Sequence, residues 1–128
     1  MIQIKNPAEL KGMIKAGELA AQALALAGKN VKAGVSTWEL DRIVDEFIRS
    51  KGGSCPCYGF EGFPGHNCFS INEQLIHGIP SKKAVLKDGD IISCDIVAEL
   101  DGFMGDNTKT FTVGEVSDEA KRLMKYTE

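Results

Sequence analysis

Apolar and polar positions follow two periods along this chain, helical in the front half and strand-like in the back. Asn6-Pro7-Ala8-Glu9 opens the first helix, with Asn as N-cap, Pro at the first helical position and Glu three residues on to return a hydrogen bond. Leu10, Ile14, Gly17, Ala21 and Leu24 then recur at steps of three and four, which predicts one apolar stripe of modest bulk. Gly28 is placed to stop that helix. Ser36-Thr37-Trp38-Glu39 is a second capping box, with Val35 positioned to staple onto Leu40. Leu40, Ile43, Val44, Phe47 and Ile48 make the buried face of the second helix, and Gly52-Gly53 ends it. Both stripes read as core.

Beyond Gly53 the period shortens. Residues 53–68 are punctuated by Gly and Pro and read as a loop rich in aromatics. Cys68 to Asn72 and Gln74 to Pro80 read as short strands, and Lys87-Asp88-Gly89 turns the chain into a longer hairpin. Its first arm runs from Asp90 through Asp95 to Ala98, Leu100-Asp101-Gly102 supplies the turn, and Phe103 to Val113 returns. With the turn centred between Leu100 and Asp101, Asp95 falls directly opposite Asp106. Directly opposed residues hold their Cβ atoms roughly 4.5–5.5 Å apart on one face. Two ionised carboxylates that close repel, and a divalent cation between them removes the cost. The competing reading is a bulge at Gly105, which shifts the register and leaves two merely solvated carboxylates.

Ser117-Asp118-Glu119 caps a last helix with a suitably acidic first turn, and Ala120, Leu123 and Met124 begin its apolar face. The sequence stops at Glu128 with no Gly, Pro or further element for that helix to pack on, so residues 1–128 are expected to be the front part of one domain, cut short. No repeat, low-complexity tract or interdomain linker appears. The pattern predicts an α+β fold, with two helices packed on an antiparallel sheet.

Composition narrows the function classes. A hydrophobic share of 43% with 26% charged residues is that of a globular protein. A net charge of −3 and a pI near 5.4 offer no electrostatic basis for direct nucleic-acid binding. No run approaches a membrane span, and no secretory signal pattern opens the chain, so a cytoplasmic protein is expected. Cys55, Cys57, Cys68 and Cys94 lack zinc-finger spacing and read as reduced, partly buried thiols.

Several short motifs fall in a telling order: Lys32-Ala33-Gly34-Val35-Ser36, Gly59-Phe60-Glu61-Gly62-Phe63-Pro64, Cys68-Phe69-Ser70-Ile71-Asn72, His77-Gly78-Ile79-Pro80, Asp95, and Gly105-Asp106-Asn107-Thr108. Together they closely resemble the type I methionine aminopeptidases over essentially the whole chain. The related aminopeptidase P and prolidase group shares the Asp pair but lacks this combination.

The resemblance implies the N-terminal half of the pita-bread (creatinase/aminopeptidase) fold. It implies that Asp95 and Asp106 are the first two metal ligands, Asp106 bridging both ions, and that His77 is a catalytic histidine contacting the substrate amide. It places Cys57, Phe60, Phe63 and Cys68 around the methionine side chain, where a soft thioether suits aromatic walls and a thiol. The implied cofactors are two divalent ions, Co, Mn, Fe or Zn, and the implied reaction is removal of the N-terminal initiator methionine from nascent proteins. The partners that follow are a peptide or nascent chain beginning with Met and, by family role, the ribosome. One His and two Glu ligands of the family, and the glutamate that handles the proton, lie in the second half of that fold. His66 does not replace them, since the family uses no ligand at that position.

A lone chain with two carboxylates is therefore expected to bind metal weakly and to catalyse nothing useful. Two other readings compete with a fragment of the enzyme. One is an inactive half-domain acting as a binding module. The other is a self-associating chain whose exposed half-sheet pairs with a second copy. Retention of both Asp residues and His77 favours the enzyme fragment.

Overall fold

The computed structural model describes residues 2–127; Met1 and Glu128 lie outside the described residues. The element order is α1 (Pro7–Asn30), α2 (Thr37–Ser50), a short 3₁₀ turn (Phe60–Gly62), β1 (Cys68–Ile71), β2 (Ile91–Leu100), β3 (Phe103–Thr112) and α3 (Asp118–Thr127). The strands form one antiparallel sheet in the order β1-β2-β3. α1 lies across β2 and β3, and α2 packs beside α1.

Both capping boxes form. The Asn6 side chain accepts hydrogen bonds from the N–H groups of Ala8 and Glu9, and the Glu9 carboxylate accepts from Asn6 N–H at 2.8 Å. Ser36 and Glu39 reciprocate in the same way at the start of α2. Each cap satisfies donors that a helix start would otherwise leave orphaned.

The phase of α1 differs from the sequence expectation. Leu10 and Ile14 are 48% and 59% exposed. The buried stripe is instead Ala16, Leu19, Ala20, Ala23, Leu24 and Ala27. The reason is close approach: a Cβ on Gly105 of β3 would strike the backbone carbonyl of Ala16. Only a stripe of small residues lets helix and strand come that near, so alanine takes the contact face. Gly28 likewise does not stop the helix, which runs on to Asn30; its missing side chain makes room for the Phe111 ring.

α2 keeps its expected face through Leu40, Val44 and Ile48, with Phe47 partly buried. On β2 the alternation is complete. Ile92, Cys94, Ile96 and Ala98 are buried against the helices, while Ser93, Asp95, Val97 and Glu99 face the other way and are half-buried. No helix among the described residues is long and apolar enough to cross a membrane.

Candidate functional site

The β2–β3 turn consists of Asp101 and Gly102, with Leu100 pairing Phe103. Both turn residues have positive φ, 53° and 82°, the signature of a tight Asp-Gly hairpin turn. The turn therefore centres one residue later than expected from sequence. Asp95 faces Thr108 and Asp106 faces Val97, so the two carboxylates are not directly opposed. They are diagonal neighbours on the same face, because residues 95 and 97 share a face and each partner shares it too.

β1 extends this face. Cys68 pairs with Asp95, so Cys68, Asp95 and Thr108 form one row across the three strands. The Thr108 hydroxyl donates to the Asp95 carboxylate at 2.7 Å, which holds that side chain along the row. In the next row but one along β2, Ser93 and Thr110 share a hydrogen bond at 2.8 Å.

Two irregular segments wall this face. The first is the loop between Ser54 and Cys68. It enters through paired backbone hydrogen bonds between Ser54 and Glu99, each 2.9 Å. Gly59, Glu61 and Gly62 all take positive φ, coiling the loop into a tight turn that presents Phe60 and Phe63. The second segment carries His77. Sequence predicted a strand from Gln74 to Pro80, but no ladder forms there. Asn72 turns the chain away with a φ of 51°, and Pro80 has no N–H to give. What remains is a turn bond from Gln74 N–H to the Ile71 carbonyl at 3.0 Å and a bond from Phe69 N–H to the Gly78 carbonyl at 2.9 Å, the latter reinforced by Gly78 N–H to the Ser70 hydroxyl at 3.0 Å. Gly78 lies so close to the Phe69 backbone that any side chain would collide with it. This contact docks His77 at the edge of the sheet face.

The result is one open cavity of about 510 Å³. Its lining includes Cys57, Phe60, Phe63, Cys68, His77, Asp95 and Asp106, so all seven side chains singled out from the sequence meet there. Glu61, Pro64, Ile79 and Val97 complete much of the wall. Glu61 and Ile79 lie inside the motifs already noted, whereas Val97 enters through the register.

Electrostatics mark the Asp pair as a place for positive charge. Asp106 is exposed as a residue, yet partial desolvation of its carboxyl and then the neighbouring Asp95 charge push its pKa up. Burial, followed by Asp95 and Asp106, raises the Cys57 thiol. The Cys68 thiol is pushed up to about 11 by burial first and by Asp95 second. A divalent cation beside Asp95 and Asp106 would offset the part of these shifts that comes from the two carboxylate charges. The two carboxylates fit such an ion as part of its shell. Among the described residues no set of three or more His, Cys, Asp or Glu side chains converges on one metal position.

One buried charge had no part in the sequence reading. Asp41 on α2 accepts from the backbone N–H groups of His66 and Asn67 at 3.1 and 2.8 Å. Its signal was present: Thr37, Asp41, Val44 and Ile48 recur at helical spacing, which puts a carboxylate on the buried stripe of α2.

Comparison with known proteins agrees with this architecture. The chain is 47% identical over 128 residues to methionine aminopeptidase 1 of Bacillus subtilis, covering all of this chain and 51% of that protein. It is 46% identical over 127 residues to the methionine aminopeptidase of Clostridium acetobutylicum, covering 99% of this chain and 51% of that protein. The crystal structure of methionine aminopeptidase from Rickettsia prowazekii superimposes with a TM-score of 0.96 at 38% identity, over 99% of this chain and 51% of that one. The chain thus spans about half the length of the curated relatives it matches. Since the model of metallopeptidase family M24 matches residues 11–128, and the helices and antiparallel sheet are those of its pita-bread fold, the chain belongs to that family.

Proposed function

We propose that this chain supplies the carboxylate and methionine-pocket half of a metal-dependent methionine aminopeptidase site. One observation carries the reading: Asp95 and Asp106 share a cavity with Cys57, Cys68, Phe60, Phe63 and His77. Oxygen donors for a hard or borderline cation thus adjoin a soft, aromatic wall.

Asp95 and Asp106 would hold divalent metal through their carboxylate oxygens. When bound, the metal supplies Lewis acidity for the scissile carbonyl and an activated water. Thr108 keeps Asp95 oriented through its 2.7 Å hydrogen bond. Phe60 and Phe63 would take the methionine side chain between them, and Cys57 and Cys68 face its sulfur, which orients the N-terminal residue toward the Asp pair. His77, at the cavity edge, would hydrogen-bond the substrate amide and fix the peptide plane. Carboxylate ligands suit Co, Mn, Fe or Zn.

The proposed substrate is a peptide or nascent chain beginning with Met, which makes a cytoplasmic location and work at the ribosome part of the same reading. Self-association through the open sheet face is the accompanying expectation for the chain by itself. Exposed Leu123 and Tyr126 on α3 support it by leaving apolar surface uncovered.

The test joins this chain to the half of the Bacillus subtilis relative that it does not match. The hybrid is assayed for methionine release from a Met-Ala-type peptide with added Mn or Co. Release that disappears in Asp106→Asn is the expected result. Release unaffected by Asp106→Asn, or a well-folded hybrid with no release, would reject the assignment.

A further inference from the structure

The loop that walls the cavity is held at its return by one side chain. The Asp41 carboxylate, 4% exposed as a residue, accepts from Asn67 N–H at 2.8 Å and from His66 N–H at 3.1 Å. The His66 ring brings Nδ1 to 3.0 Å from the same carboxylate and Nε2 to 3.7 Å from Asp45, one turn further along α2. Tyr58 stacks on that ring, with centroids 4.7 Å apart and planes 10° from parallel. The Asn67 side chain reaches Asp41 at 3.4 Å and the Cys55 sulfur at 3.7 Å, so the beginning of the loop meets its end at the same place.

A buried carboxylate is costly to desolvate and is retained where hydrogen bonds satisfy it. Here the donors come from the loop, and the apolar stripe of α2 gains nothing from the charge. Asn67 directly precedes Cys68, whose partner across the sheet is Asp95. Tyr58 directly follows Cys57. Asp41 therefore stands behind both cysteines of the cavity without itself lining it.

We propose that Asp41 is a positioning residue for the substrate pocket: by pinning His66 and Asn67 to α2, it sets where Cys57, Cys68 and the Phe60–Phe63 wall stand relative to Asp95 and Asp106. This rests on the proposed function for what the pocket holds, but the pinning itself can be tested separately.

Asp41→Asn keeps the size of the side chain and replaces one acceptor oxygen by a donor that cannot pair with an N–H. In the 128-residue chain, amide hydrogen exchange at His66 and Asn67 should then quicken about tenfold, the scale set by losing a hydrogen bond to a charge, while exchange in the middle of β2 stays within about twofold. Alkylation of Cys68 by iodoacetamide should quicken to a similar degree. His66→Ala leaves both backbone bonds to Asp41 in place and should produce a smaller change in the same direction. A general loss of stability would accelerate exchange in β2 equally, and that outcome, or no change at residues 66–67, would overturn the proposal. For the pocket itself, L-methioninamide should slow Cys57 and Cys68 alkylation in the unaltered chain more than L-alaninamide does, and Asp41→Asn should erase the difference. Absence of any such protection in the unaltered chain counts against the methionine pocket, while the exchange data still decide the role of Asp41.

Discussion

Asp95 and Asp106 occupy diagonal positions on one face of the β2–β3 hairpin, Asp95 opposite Thr108 and Asp106 opposite Val97. The offset leaves Thr108 free to tie down Asp95 from directly across the strand. It also keeps the carboxylates close enough that the Asp95 charge raises the Asp106 carboxyl.

Metal affinity should follow this pair. Asp95→Asn and Asp106→Asn are each expected to weaken Mn or Co binding by at least about tenfold, measured by titration calorimetry. Thr108→Val, which removes only the orienting hydrogen bond, should weaken it less. Equal binding by all three variants would place the metal elsewhere.

The 128-residue polypeptide by itself should release no methionine from a Met-Ala-type peptide, even with excess Mn or Co. Two carboxylates leave a bound ion mostly hydrated, so neither the water nor the carbonyl is well oriented. Metal-dependent turnover that co-elutes with the chain through size-exclusion chromatography would show that a further ligand set completes the site.

Two glycines should respond oppositely to the same change. Gly105→Ala drives a Cβ into the backbone carbonyl of Ala16, and should cost about 1–3 kcal/mol of unfolding free energy. Gly17→Ala lies inside α1 with nothing within 4 Å of the added carbon, and should gain roughly 0.5–1 kcal/mol. Urea denaturation of the two variants checks both signs.

Thiol chemistry should rank the cysteines by burial. The Cys55 and Cys94 thiols are pushed up to about 12, chiefly by desolvation, so almost none of either is thiolate at pH 8. Cys57, half-buried at the cavity wall, should be alkylated first in the folded protein. The rates for Cys55 and Cys94 should stay low as pH rises to 9 and converge with the rest only in denaturant. Mass spectrometry of partly modified protein would give the order directly.

Local chemistry was legible in the chain itself. Asn6 with Glu9 and Ser36 with Glu39 identify the starts of α1 and α2, because caps are satisfied within a few residues. The face shared by Asp95 and Asp106 was also legible, although the turn was placed one residue early. Moving the centre of a hairpin by one residue slides the partner strand by two, and a slide of two preserves which side chains share a face. The tertiary structure decided what depends on distance between elements. It chose the alanine stripe of α1 over Leu10 and Ile14, because Gly105 brings β3 against the helix backbone. It denied the His77 segment a strand and docked it through Gly78 instead. It gave Asp41 its partners, which lie 25 and 26 residues away and become neighbours only when the loop folds back on α2. Periodicity reports which way a side chain points, but the partner it meets is set by how closely the backbones can pack.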